Sequence, residues 1–159
     1  MIKILSADYG NPQHSHDILA LLDAYARDPM GGGKPLTDFA RAHLVAGLAN
    51  HGGISLLAYR NNQAIGLLNG FEGFSTFSGK PLINIHDLAV LREHRGQGVG
   101  QALLSAIEAI ARERGCCKLT LEVLSGNAVA AGAYQKFGFR GYELDPSAGR
   151  AEFWEKKLL

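Results

Sequence analysis

The chain has 159 residues, of which 47% are hydrophobic and 19% charged, and its formal net charge at pH 7 is +1. That near-neutral balance excludes a polycation built to hold nucleic acid, and no run of about eighteen apolar residues is present to span a membrane. The length suits a single domain over residues 1–159, able to bury about two thirds of the surface its unfolded chain exposes. The opening MIKILSADYG has too short an apolar run for a signal peptide, so a cytoplasmic protein is expected. The only cysteines, Cys116 and Cys117, are adjacent and on a strand would point to opposite faces, which excludes a disulfide framework; small buried apolar filler is their expected role, with a catalytic thiol as the alternative that no nearby feature singles out. The six histidines fall at no zinc-binding spacing, and no metal is expected.

In chain order, residues 2–7 alternate as a short strand, and residues 13–27 carry Ile18, Leu19, Leu22 and Tyr25 at helical spacing. Asp28-Pro29-Met30-Gly31-Gly32-Gly33-Lys34-Pro35 breaks that helix, and residues 36–49 resume a helical pattern. Residues 54–60 and 63–71 read as a hairpin about Asn61-Asn62, a dipeptide that tolerates positive φ. Residues 72–81 read as a loop rich in aromatics and hydroxyls. Its Glu72 and Phe74 are candidates for a pocket wall, with packing onto the sheet as the alternative.

Residues 82–90 form the expected central strand. Asn84, His86, Leu88 and Val90 share one face and Ile83, Ile85, Asp87 and Ala89 the other, unless a bulge shifts the register. His86 and Asp87 interrupt an apolar strand, either as a hydrogen-bonded core histidine and a capping or ion-paired aspartate, or as groups facing a ligand. From Gly98 onward, Val99, Ala102, Leu103, Ala106, Ile107 and Ile110 mark one face of a helix. Its start is preceded by Arg95-Gly96-Gln97-Gly98-Val99-Gly100. The glycines remove side chains where a helix exposes unpaired N–H groups and its positive dipole end, so an anion can sit against bare backbone. The turn matches neither G-x-G-x-x-G, since the sixth position is Gln101, nor a Walker loop. A strand-to-helix connection without a ligand remains the alternative. Gly115 then ends the helix, residues 118–124 form a strand, and Ser125-Gly126-Asn127 cap a short Ala-rich helix to Phe137, with Gly138-Phe139 turning into the next strand. Strands over residues 139–144 and near residues 150–157 are expected to close the chain.

The pattern Arg95-x-x-Gly98-x-Gly100, between an apolar strand and an amphipathic helix, resembles the acyl-CoA pyrophosphate loop of the GNAT superfamily of N-acyltransferases. Leu121-Glu122-Val123, Asn127, Ala130, Tyr134, Phe137, Gly138 and Phe139 are similar to the second signature of that family. Together the resemblance spans residues 54–154. It implies an α/β three-layer sandwich with a central mixed, mostly antiparallel sheet of six to seven strands flanked by helices. The strands at residues 82–90 and 118–124 would splay apart to admit acetyl-CoA. The resemblance places the pyrophosphate at Arg95, Gly96, Gln97, Gly98, Val99 and Gly100. The pantetheine arm would run along the backbone of Leu88, Ala89 and Val90, with Asn127 and Tyr134 as further cofactor contacts. The connection between the first two helices would lie over the acceptor pocket, a candidate mobile lid, with a plain glycine loop as the alternative.

Acylation of an ammonium requires a base to take its proton and an acid for the departing thiolate. Tyr134 resembles the tyrosine that protonates the coenzyme A sulfur in this family, and Glu122 resembles the base of ribosomal-protein alanine acetyltransferases. A packed tyrosine and an exposed strand glutamate are the alternatives. Glu72, His86 and Asp87 compete for the base role and, with Phe74, form the expected acceptor site. An acidic residue is usual in related polyamine acetyltransferases where His86 stands. Gly132-Ala133 stands where a larger residue is common, which would widen the slot beside Tyr134. The expected function is acetyl transfer from acetyl-CoA to a primary amine of a small molecule in a ternary complex. A protein N-terminus or lysine is the alternative acceptor, and a non-catalytic acyl-CoA-binding module the alternative of another class. An exposed C-terminal strand would give a homodimer its interface.

Overall fold

The computed structural model describes all 159 residues, Met1–Leu159. Asn61 and Asn62 take φ of 50° and 63°, the left-handed conformation that a tight two-residue hairpin turn demands. Around them β2 (Gly53–Arg60) pairs antiparallel with β3 (Gln63–Ser75), and β3 pairs antiparallel with β4 (Lys80–Val90). β1 (Lys3–Ser6) adds to the outer edge of β2, and β5 (Leu119–Leu121) adds to β4 in parallel, giving a five-stranded mixed sheet in the order β1-β2-β3-β4-β5. The expected loop at residues 72–81 is a correction. Glu72 and Phe74 belong to β3, and only residues 76–79 turn, with Gly79 at φ 61° closing it. Pairing of Glu72 with Ile83 and Phe74 with Pro81 continues the ladder, so strand bonding overrides the turn-like composition.

Helices α1 (Pro12–Arg27) and α2 (Asp38–Asn50) cover one face of the sheet, where Ile18, Leu21, Leu22 and Leu48 pack with Leu57 and Leu67. Asn11 caps α1 by accepting from the Gln13 and His14 N–H groups, and Thr37 caps α2. Helix α3 (Val99–Glu113) covers the other face with Val99, Leu103 and Ile107 fully buried. Each such aliphatic side chain contributes roughly 1.5–3 kcal/mol by leaving water. A Cβ at Gly66 would lie 2.8 Å from Val99 Cγ1, so α3 reaches the sheet because that position is bare. Three layers result for the unit Met1–Leu121.

Residues Glu122–Leu159 form a second compact unit. Its helix α4 (Ala128–Phe137) starts where Asn127 Oδ1 accepts from the Ala130 N–H at 3.2 Å and ends at Gly138 with φ 114°. The two strands expected here are not formed. A single bridge pairs Glu143 with Arg150, so the sheet has five strands and not six or seven. Gly141 and the Asp145-capped turn at Pro146–Ala148 interrupt the run, and Tyr142, Leu144, Phe153 and Trp154 are exposed, so no buried face rewards a ladder. Residues 151–159 carry no strand, so the C-terminal edge strand expected there is not formed. No helix is long and apolar enough to cross a membrane.

Candidate functional site

The turn before α3 is open and anion-ready. Gly96 and Gly98 take φ of 70° and 84°, conformations open to glycine, and a Cβ at Gly96, Gly98 or Gly100 would meet nothing within 4 Å. No side chain caps the helix at Gly98, so the first-turn N–H groups of Val99 and Gly100 point outward with the positive end of the dipole. The loop is held from behind. Arg60, at the end of β2, donates to Gln97 Oε1, and Gln97 Nε2 donates to the Glu93 carbonyl at 3.0 Å. Arg95 Nε donates to the Val90 carbonyl at 3.0 Å and its Nη2 to Asp28 Oδ2 at 3.1 Å. Arg95 and Gln97, expected at the pyrophosphate, therefore also brace the loop against β4 and the α1–α2 connection.

β4 pairs with β5 only at Ile83, Asn84 and Ile85, while its pairing with β3 continues to Val90. Its edge from His86 to Val90, which includes Leu88 and Ala89, faces away from β3 without a strand partner. An extended amide chain can add to such an edge. β5 ends at Leu121, short of the strand expected over residues 118–124, so β4 outlasts its neighbour and the register shows no divergence of two strands. A cleft of about 290 Å³ lies beside this segment, between the end of α1 and the end of β4. Its walls include Leu21, Tyr25, Asp28, Ala89, Val90 and Arg95. The Met30 N–H first, then the Arg95 guanidinium, hold the Asp28 carboxyl below the ordinary carboxylate range. Burial, reinforced by the charges of Asp87 and Asp28, pushes the Tyr25 phenol up.

The register of β4 contains the bulge that the polar residues made a question. Asn69 faces Asp87 and Gly70 faces Ile85, which leaves His86 as the extra residue. One consequence is that the face assignment flips. Ile83 packs toward α3, close to where a Cβ on Gly70 would also meet Ile107, whereas Asp87 lies in one row with Asn69 and Ser55 on the α1 face. His86 is exposed, its ring edge-on to Phe71 at 5.6 Å. Asp87 Oδ2 accepts from Asn69 Nδ2 at 3.0 Å, and none of the five ion pairs includes Asp87.

The expected acceptor residues are therefore divided. His86 and Asp87 adjoin Phe71 and Asn69, but Glu72 lies on the α3 face, paired with Arg114 Nη1 at 3.3 Å, and alternation puts the exposed Phe74 on that face as well. Sequence reasoning missed Arg60, Asn69, Ser55 and Asp28. Asn69 carried the same signal as Asp87, a polar residue inside an apolar strand, whereas Arg60 and Asp28 had none.

In the second unit, Tyr134 lies half-buried on α4, 6.0 Å from the ring of Phe139 and edge-on to it. Asn127 is the helix cap already described. Glu122 follows the last residue of β5 and is exposed. Cys117 is exposed and Cys116 half-buried, its thiol pushed up by burial and by the Glu72 charge.

The sequence profile of the acetyltransferase (GNAT) family matches residues 18–139, and the chain belongs to that family. Streptothricin acetyltransferase of Streptomyces lavendulae is 40% identical over 82 residues, 52% of this chain and 43% of that protein. Thialysine N-epsilon-acetyltransferase of Sus scrofa is 34% identical over 67 residues, 42% of this chain and 39% of that protein. The chain thus spans less than half the length of these curated relatives. Among solved structures, a probable acetyltransferase superposes with a TM-score of 0.78 over 99% of this chain and 97% of its own, at 23% identity. An aminoglycoside acetyltransferase from an uncultured soil metagenomic sample gives 0.77 over 98% and 96%, at 20% identity. At these identities the structures establish the fold alone, an α/β fold of the GNAT kind.

Proposed function

We propose that the protein transfers the acetyl group of acetyl-CoA to a primary amine of a small molecule, by direct transfer in a ternary complex in the cytoplasm. The observation that carries the reading is the free edge of β4 leading to a bare, uncapped helix start, with a carboxylate held by a neutral amide and by no cation one residue beyond the bulge. These features fit the donor. Val99 and Gly100 N–H groups, with Gly96 and Gly98 leaving room, would bind the pyrophosphate, and the backbone of Leu88, Ala89 and Val90 would take the pantetheine amides. Bound acetyl-CoA supplies a thioester carbonyl open to attack and a thiol leaving group.

The remaining chemistry belongs to side chains of this chain. Asp87, which has no cation of its own, binds the acceptor ammonium by charge-assisted hydrogen bonding. Tyr134 is proposed as the acid that returns a proton to sulfur, and Glu122 as the base, both on the family resemblance. Names of similar proteins that act on streptothricin, thialysine and aminoglycosides support an amine of small-molecule size.

The test is thiol release from acetyl-CoA with a panel of diamines, aminoglycosides, amino acids, and peptides with free N-termini or lysines. Turnover on small amines is expected. Turnover on peptides alone would replace the acceptor class, and donor binding without turnover on any amine would make the protein a binding module. With an accepted amine, Tyr134→Phe should lower kcat by about ten- to ten-thousandfold, the scale of lost general acid catalysis, with donor affinity little changed. Unaltered turnover would reduce Tyr134 to a packing residue.

A further inference from the structure

We propose that Asn69, Ser55 and Tyr9 are positioning residues that lock the Asp87 carboxylate in one orientation, with one oxygen engaged and the other presented to the acceptor ammonium. The proposal rests on the reading of Asp87 as the amine-binding carboxylate. Ser55, Asn69 and Asp87 stand directly opposite one another on β2, β3 and β4, a single row across the sheet. Ser55 Oγ lies 2.6 Å from Asn69 Oδ1, Asn69 Nδ2 lies 3.0 Å from Asp87 Oδ2, and the Tyr9 hydroxyl lies 2.9 Å from Ser55 Oγ.

The direction of every bond follows from the end of the row. A carboxylate can only accept, so Asn69 must turn its NH₂ toward Asp87 and its carbonyl toward Ser55. Ser55 must then spend its one hydroxyl proton on Asn69, which leaves Tyr9 as the donor to Ser55. Burial pushes the Tyr9 phenol up and keeps that proton in place. All three donors point toward Asp87. Ser55 is 3% and Asn69 1% exposed, so no water can substitute for a missing partner.

The adjacent row on the same face, Leu57, Leu67 and Ala89, is apolar and buried. Replacing a hydrogen-bonded pair by apolar groups of the same shape is nearly neutral for stability, so folding alone gives little reason for a polar row here. Its distinctive product lies at its end. Asp87 sits where β4 has just lost β5 and passed the His86 bulge, held by a neutral amide and not by a cation. A neutral donor fixes the carboxylate and leaves its charge for a ligand. With Oδ2 engaged, Oδ1 is the oxygen that faces the amine.

The test uses Asp87→Asn, Asn69→Leu, their double variant, and Ser55→Ala. Calorimetry without an acyl donor measures binding of 1,5-diaminopentane, kanamycin and lysine methyl ester. Kinetics measure kcat/KM for an accepted amine and KM for acetyl-CoA, and thermal melts check folding. Asp87→Asn and Asn69→Leu should each lower amine affinity and kcat/KM by about ten- to a hundredfold, the scale of one charge-assisted hydrogen bond. The double variant should be no worse than Asp87→Asn alone, and KM for acetyl-CoA should stay within about twofold of wild type, since the row touches none of the donor's proposed contacts. Ser55→Ala frees the Asn69 amide to turn and should show a smaller loss in the same direction. If Asp87→Asn is impaired while Asn69→Leu and Ser55→Ala bind amine like wild type, the positioning role is overturned and the amine reading stands. If the losses multiply in the double variant, Asn69 acts apart from Asp87 and the proposal is equally overturned. If Asp87→Asn binds every probe as wild type does, the amine reading falls and this inference with it. Should Asn69→Leu fail to melt cooperatively, Ser55→Ala decides by the same readouts.

Discussion

Gly98 and Gly100 serve the same turn for different reasons. Gly98 holds φ at 84°, where any side chain is strained, whereas Gly100 is a helical residue whose Cβ would meet open space. Gly100→Glu is therefore the clean probe of the anion site. A glutamate near a helix start favours the helix by its propensity and by the dipole, so the melting temperature should hold or rise. The same carboxylate occupies the place proposed for a pyrophosphate, so acetyl-CoA binding by calorimetry should fall at least about a hundredfold. Wild-type affinity would remove the turn from the donor site. Gly98→Glu loses affinity partly through the backbone and cannot separate the two causes. At this scale the turn was legible because glycine spacing maps directly onto backbone freedom. The partner of Asp87 was not, because Asn69 meets it only through pairing of separate strands.

Among the elements, the α1–α2 connection is closely tied by hydrogen bonds. Gly31 and Gly33 N–H groups both donate to the Asp28 carbonyl, Lys34 N–H donates to the Ala26 carbonyl, and a Cβ at Gly31 would fall 1.9 Å from the Tyr25 carbonyl oxygen. Asp23 accepts from Leu36 N–H at 2.9 Å, Arg27 Nε at 2.8 Å and Arg41 Nη2 at 2.7 Å. The run of glycines thus lets the chain turn tightly against α1, and Asp23 pins its exit. Asp23→Ala should destabilise the fold by about 2–3 kcal/mol in urea unfolding at pH 7, since a nearly buried hub of hydrogen bonds to a charged group is lost. The Arg27 guanidinium first, then the Leu36 N–H, hold the folded Asp23 carboxyl below its ordinary 3.8. A lowered folded pKa gives stability that is present above 3.8 and lost as the pH falls through the lowered value. The gap between wild type and Asp23→Ala should therefore close in acid. A gap that persisted unchanged would deny Asp23 its charged role.

For the whole molecule, the distribution of burial sets the expectation. Every fully buried apolar side chain, from Ile18 to Ala111, lies in Met1–Leu121, and none lies in Glu122–Leu159. Amide exchange followed by mass spectrometry should show the strongest protection in β2, β3, β4 and α3, and fast exchange over residues 139–159. Protection of that last segment equal to β3 would mean that burial has been misjudged as the source of its stability.

The sequence by itself determined the helices, the Asn61-Asn62 hairpin, the glycine turn, the start of α4 at Asn127 and the end of α3 at Gly115, because periodicity, positive φ and capping are local physics carried by a few adjacent residues. It also sufficed for the family, through two motifs whose spacing survives without knowledge of contacts. Tertiary structure alone decided the rest. Only the pairing of β3 with β4 could carry β3 through Glu72 and Phe74 and create the bulge at His86. It placed Asp87 beside Asn69 and sent Glu72 to the opposite face. The C-terminal strands failed for the complementary reason. Alternating residues such as Tyr142 and Leu144 make a lasting strand only where a partner ladder and a buried face reward the order, and those rewards come from distant parts of the chain.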